Sequence, residues 1–211
     1  MPISSKKSLS KLNEEITSCK QCLDLVKTRI QPVHGTGASS AKLIIVGYYP
    51  FDDIVEKKGI PFTDSKEGKL ISRVLAGTCL SLEADTYLTY LVKCNATKSV
   101  KNKGKKEEAA ATGPSSRHIQ NCMNYLTEEI SIITPHIIIS LGLDVSNIIL
   151  KNFFSVTKKH SDIKKLHMRL FENPSFKLLP FYSASDVEKG LISEEKFTED
   201  FKSLSKLIAI I

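Results

Sequence analysis

Five cysteines are spread along the 211 residues, and four of them have the chemistry to share one inorganic centre. Cys19 and Cys22 form a C-x-x-C, a spacing used alike by redox pairs, zinc knuckles and iron–sulfur clusters. Cys94 ends the run Val92-Lys93-Cys94, directly after an apolar segment, and Cys122 lies in a stretch with helical spacing. Cys79 has no evident partner. Four thiolates can enclose zinc or a [4Fe–4S] cluster, because both accept four sulfurs in a tetrahedral arrangement. Zinc sites commonly draw their ligands from two close pairs. Here the third and fourth cysteines are single and far apart, which favours the cluster over zinc. The plain alternative is that Cys94 and Cys122 are small buried residues.

A second group of candidates follows the apolar run Leu43–Gly47. The turn Gly47-Tyr48-Tyr49-Pro50-Phe51 leads into Asp52 and Asp53. In an α/β protein the carboxyl end of a strand is where ligand-handling groups sit. Either aspartate has the chemistry of a general base, and either is equally suited to cap a helix or sit in a solvated turn. A third group is the run of five lysines between Lys98 and Lys106, of which Lys101, Lys103, Lys105 and Lys106 are the candidate nucleic-acid contacts. Residues 95–115 are polar and lack apolar periodicity, so they read as a long insertion, solvated or bound to a polyanion.

The elements that must carry these groups are legible from periodicity. Four apolar runs, 43–47, 86–92, 136–142 and 177–182, read as parallel strands buried on both faces. Helical spacing occupies 68–75, 116–130, 145–150 and 194–210, with Pro114 and Ser115 placed to start the second of these. The alternation predicts an α/β fold, a three-layer α/β/α sandwich on a four-stranded, mainly parallel central sheet. A single domain over residues 1–211, with the lysine-rich insertion at 95–115, is the expected organisation.

Composition sets the limits on function. The chain is 41% hydrophobic and 25% charged, ordinary for a globular protein, and long enough to bury a full core without staples. Its 30 Lys and Arg against 23 Asp and Glu give a formal charge of +7, which suits a polyanionic partner without requiring one. The polar N-terminus lacks the apolar core of a secretion signal, and no apolar run has the length of a membrane span. A cytoplasmic location is expected, where disulfides are rare.

Taken in order, these features resemble the iron–sulfur uracil-DNA glycosylases known as family 4. The resemblance runs from Cys19 to the last strand. It comprises the C-x-x-C, a first strand ending G-x-x-P, the G-x-P-F at Gly59-Ile60-Pro61-Phe62, a helix started by Gly68, and Val92-Lys93-Cys94. The helix bearing Cys122, the strand in Thr134–Gly142 and a last strand at Leu178–Tyr182 complete it. The resemblance implies a [4Fe–4S] cluster on Cys19, Cys22, Cys94 and Cys122, DNA as partner, no membrane, and a monomer. It also implies base flipping into a pocket, where an acid handles water, an aromatic stacks on the base, an Asn reads its edge and a His supports the departing anion.

Position by position, the frame is kept and the reacting groups are exchanged. Tyr48 stands where the family has Glu, and Pro50 keeps the turn. Phe62 keeps the stacking ring, while Tyr90 stands in place of the Asn. Ser183-Ala184-Ser185 replaces His-Pro-Ser, so Ser183 takes the His position, and His160-Ser161 replaces an Arg-Gly pair in a loop expected to touch nucleic acid. Tyr48, Pro50, Phe62, Tyr90 and Ser183 therefore outline the expected base pocket. Ordinary uracil excision is expected to be lost or strongly reduced. The alternative is an active DNA glycosylase that uses Asp52 or Asp53 as a non-standard acid.

Overall fold

The structure, a computed structural model, describes residues 7–78, 80–81, 83–97 and 113–208, apart from the side chains of 205–208. Lys101, Lys103, Lys105, Lys106 and Cys79 lie outside the described residues.

Among the described residues, six strands make one sheet rather than the four expected. In chain order they are β1 (Thr36–Gly37), β2 (Leu43–Gly47), β3 (Thr86–Tyr90), β4 (Ile137–Leu141), β5 (Phe171–Glu172) and β6 (Lys177–Phe181). Across the sheet the order is β1-β3-β2-β4-β6-β5. The central four, β3, β2, β4 and β6, are parallel and are the four apolar runs. The two additions are antiparallel edge strands of two residues each. Pairs so short leave no period-2 pattern to read, which is why they escape a sequence analysis.

The helices are α1 (Leu9–Thr17), α2 (Leu23–Val26), α3 (Asp53–Lys58), α4 (Lys66–Ala76), α5 (Ser116–Ile133), α6 (Leu143–Phe153), α7 (Ala184–Glu188) and α8 (Glu194–Ile208). The four expected helices are α4, α5, α6 and α8, each within a few residues of the periodic stretch. Ser115 starts α5 through a capping box, its hydroxyl accepting from the His118 amide at 3.3 Å. Right-handed crossovers put α4 on one face of the sheet and α5 and α6 on the other. Accordingly α7 and α8 pack with α4, and α1 packs with α5. The result is the three-layer α/β/α arrangement.

Two features fix the end of β3. Beyond Tyr90, the Leu91 and Val92 amides donate to the carbonyls of Gly47 and Tyr48, so β3 stays registered against the turn that follows β2. Lys93 then turns its ammonium into the core. Its Nζ lies 2.8 Å from both carboxylate oxygens of Glu129 on α5 and 2.6 Å from Thr89 Oγ1. The Tyr87 hydroxyl donates to the same carboxylate at 3.3 Å. Both charges are removed from water, so each depends on the other for its solvation.

Removing one partner strands a buried charge. Glu129→Gln is expected to destabilise the fold by about 3–5 kcal/mol, and Lys93→Met combined with Glu129→Gln to recover much of that loss. Urea unfolding of the two variants beside the parent measures both.

Candidate active site

The carboxyl ends of β2, β3, β4 and β6 meet at one edge of the sheet. From β2 the chain crosses one way to β3, and from β4 the other way to β6, so a crevice opens between β2 and β4. A cleft of roughly 510 Å³ occupies it. Tyr48, Tyr49 and Phe51 from the turn after β2 form one side. Gly142, Leu143 and Asp144 after β4 form the opposite side, while Ser183, Asp186 and Glu67 contribute polar groups.

Phe62 and Tyr90 lie behind this cleft and are almost fully enclosed, at 3% and 1% exposure. Their ring centroids are 4.6 Å apart with planes tilted by 36°. The Phe62 amide donates to the Tyr90 hydroxyl at 3.2 Å. Two glycines make this approach possible. A Cβ on Gly47 would come within 2.8 Å of the Tyr90 ring and 2.9 Å of the Phe62 ring, and one on Gly68 would overlap the Phe62 carbonyl oxygen at 1.3 Å. Phe62 itself is held at φ 62°, a left-handed backbone that a phenylalanine rarely adopts. The space beside Phe62 is thus filled by the Tyr90 ring.

Glu67, in the first turn of α4, lines the cleft at 6% exposure and is hydrogen-bonded to Tyr90. Burial pushes its carboxyl up to about 7, the Tyr90 hydrogen bond opposes that rise, and the nearby Glu188 adds to it. Tyr48 is pushed up to about 12, by burial first and then by Asp144 and Tyr49, so it stays a neutral phenol. Tyr90 is raised well above the phenol range by burial and the adjacent Glu67.

The Ser183 hydroxyl is engaged locally. It caps α7, accepting from the Asp186 amide at 3.2 Å and donating to Asp186 Oδ2 at 2.8 Å. Pro50 is buried in the turn. Asp52 caps α3, its Oδ1 accepting from the Ile54 amide at 2.8 Å, and Asp53 opens that helix exposed to solvent. Neither aspartate lines the cleft. His160 is half-buried in the loop after α6, clamped by Asn147 through its backbone amide (2.8 Å) and carbonyl (3.0 Å). Its neighbour Lys159 reaches Asp144 at 3.9 Å, which brings that loop to the rim of the cleft.

The cysteines lie at the other end of the same turn in separate packing groups, Cys22 with Cys94 and Cys19 against Leu12, Ile16 and Tyr125. Cys22 and Cys94 share a small apolar cluster with Leu25 and Ala96, against which Tyr49 packs. The Cys94 thiol is within electrostatic reach of Cys19 and Cys22, and Cys122 within reach of Cys94 and Cys22. Burial pushes Cys94 up to about 11, offset in part by Arg29, and Cys122 up to about 12. Arg29 Nη1 donates to Cys94 Sγ at 3.0 Å and its Nη2 to the Cys19 carbonyl, while Asn121 Nδ2 donates to Cys22 Sγ at 3.3 Å. Among the described residues, no three His, Cys, Asp or Glu side chains form a group that could hold a single metal ion.

Sequence reasoning missed Glu67 and Arg29. A glutamate in the first turn of a helix and an arginine seven residues past a C-x-x-C are both ordinary surface signals, and only the fold turns them inward.

Comparison with known proteins agrees with this arrangement. Residues 34–204 match the model of the uracil DNA glycosylase superfamily. A type-4 uracil-DNA glycosylase of Archaeoglobus fulgidus is 28% identical over 95% of this chain and 93% of its own length. One from Sulfurisphaera tokodaii is 30% identical over 95% of this chain and 84% of its own. A DNA polymerase of Bacillus phage SP01 is 29% identical over 84% of this chain, which corresponds to 17% of the polymerase. The chain belongs to the uracil DNA glycosylase superfamily, as a family 4 member.

Proposed function

We propose that this protein is a DNA-binding, iron–sulfur member of its superfamily, a single domain with a lysine-rich insertion, in which ordinary uracil excision is lost. The observation that carries this reading is the Tyr90 ring lying against Phe62 where a flipped base would stack. The exchanged groups act in the same direction. A neutral Tyr48 does not accept a proton as the family's Glu does, and a Ser183 hydroxyl tied to Asp186 does not support a departing anion. Losing a general base lowers a rate by about 10²–10⁴ and losing an anion-stabilising donor by about 10²–10³, without simple multiplication. DNA as partner is supported by the names of the relatives and by the formal charge of +7. Lys101, Lys103, Lys105, Lys106 and His160 are the contacts assigned to it.

The cysteines suit a [4Fe–4S] cluster by chemistry. Cys19, Cys22, Cys94 and Cys122 would be the ligands, and the N–H groups of Arg29 and Asn121 aimed at sulfur are the kind of donor that tunes such a centre. When bound, the cluster cross-links the N-terminal segment to the end of β3 and to α5.

A second reading keeps a live glycosylase in which Asp52 or Asp53 acts as the acid. Its support is the place of both residues just past the turn that forms one side of the cleft, and the charge of Asp52 felt at Tyr90.

Three measurements follow. In single-turnover assays on a uracil-containing oligonucleotide, the parent is expected to release no uracil, and Tyr48→Glu with Tyr90→Asn and Ser183→His to gain release. Uracil release by the parent that disappears in Asp52→Asn or Asp53→Asn establishes the second reading instead. Anaerobic purification is expected to yield a brown protein with equal iron and sulfide, and Cys94→Ser a colourless one; stoichiometric zinc without sulfide refutes the cluster.

The third concerns Glu67. Between the usual carboxyl value of 4.5 and about 7, the folded protein keeps a proton on Glu67 that the unfolded chain has released. Stability from this group is therefore complete below 4.5 and falls as pH rises through 7. Glu67→Gln is expected to remove that slope and to stabilise the fold at alkaline pH by about 1–3 kcal/mol. Chemical denaturation across pH reads the difference.

A further inference from the structure

Among the described residues, the lining of the cleft suits a cation better than a uracil anion. That lining carries, among the described residues, Glu67, Asp144, Asp186 and Glu188 and one lysine, Lys189. Two of these acids have outside partners, Lys159 on Asp144 at 3.9 Å and Lys66 on Glu188 at 3.5 Å. Both are exposed pairs with the lysine ends mostly in water, so they compensate weakly. The innermost acid, Glu67, has the Tyr90 phenol as its hydrogen-bonding neighbour and, among the described residues of the lining, no cation beside it.

Opposite these groups stands an aromatic wall. Tyr48 and Tyr49 meet edge to face at 5.3 Å between centroids, and Tyr49 and Phe51 at 6.3 Å. Phe51 is 49% exposed at the mouth, so its ring is available to a ligand. Aromatic faces and carboxylates together attract a flat cation. The volume lies within the range of small-molecule sites.

We propose that this cleft takes a cationic, N-alkylated purine base of DNA and cuts its glycosidic bond. The proposal rests on the proposed function, in that DNA is bound and uracil is not excised, and it names the base that the altered site accepts. The chemistry accounts for the exchanged residues together. Uracil leaves as an anion and needs a donor at the Ser183 position. A purine alkylated at N7 or N3 already carries the positive charge. As the C1′–N9 bond breaks, its electron pair goes to N9 and the base leaves neutral. Water forms the new bond to C1′, and its proton passes to the Glu67 carboxylate and then to solvent. No anion appears, so no His is needed. The bond is weak enough that a carboxyl near neutrality, rather than a dedicated base, suffices to take the proton.

The test uses the full-length protein and duplex oligonucleotides bearing one 7-methylguanine or one uracil, with released base measured by chromatography. Binding of 7-methylguanosine and guanosine is measured in parallel. The expected result is release of 7-methylguanine but not uracil, with release falling about 10²-fold in Glu67→Gln. Asp144→Asn, at the exposed rim and remote from the core, is expected to weaken 7-methylguanosine binding a few-fold (about 2–5) while leaving the fold intact. Uracil release by the parent would refute the proposed function whatever the other arm shows. No release of 7-methylguanine, with or without preference for the charged nucleoside, overturns the present proposal and leaves the proposed function standing. A cleft that instead prefers a lysine-containing peptide to 7-methylguanosine overturns it as well.

Discussion

The ion pair between Lys93 and Glu129 is the interaction on which both candidate sites depend. Lys93 stands three residues past Tyr90 and directly before Cys94. Glu129 lies on α5, the helix that also carries Cys122. By drawing the ammonium into the core between them, the pair fixes where β3 ends and how α5 lies across it. The Tyr90 ring and the Cys94 thiol are then presented on the two sides of one anchored peptide. A lysine free to reach solvent would leave both loose. The buried charge is thus a device of registry, which is the best-attested use of a pair whose desolvation costs about as much as its attraction returns.

The same economy of position links the cysteines to the cleft. Tyr49 packs against the Cys22–Cys94 cluster and also lines the cleft, so one side chain belongs to both. Whatever the thiols hold, its loss would be felt at the aromatic wall. Behind that wall, Gly47 and Gly68 let Phe62 and Tyr90 approach as closely as they do, with Phe62 strained into a left-handed backbone. Strain of this kind, here in the loop between α3 and α4 directly behind the cleft, clusters at ligand-binding positions.

Much of this was legible in the residues, for identifiable reasons. The four central strands are apolar on both faces and stand out as continuous runs, and α4, α5, α6 and α8 carry strong helical spacing over many turns. Two-residue edge strands and the short α2, α3 and α7 offer too few residues for a period. Helix α1 was missed for a different reason: Leu9, Leu12 and Ile16 repeat helically, but within a polar segment that reads as a tail. At the site, Phe62, Tyr48, Tyr90 and Ser183 were locatable through the resemblance of their surrounding motifs to the family rather than through any periodicity. Glu67 was not, since the direction of a side chain in a first helical turn is decided by packing that no local pattern encodes.

The substitutions are better understood as a set than singly. Had this site merely decayed, the replacements would be expected to scatter in size and charge. Instead, on the resemblance to the family, Ser183 takes the place of a His and Tyr48 that of a Glu, and the lining holds Glu67 from the first turn of α4. Without a His at position 183, and with Glu67 and Asp144 in the described lining, the cleft favours a positive charge over a negative one. A random loss would also leave an opening beside Phe62, where a cavity is costly. Here Tyr90 fills that space and finds a partner for its hydroxyl at the Phe62 amide. A filled space beside Phe62, with polar and aromatic walls in front of it, is what the proposed change of ligand requires on this sheet, this turn and this anchored end of β3.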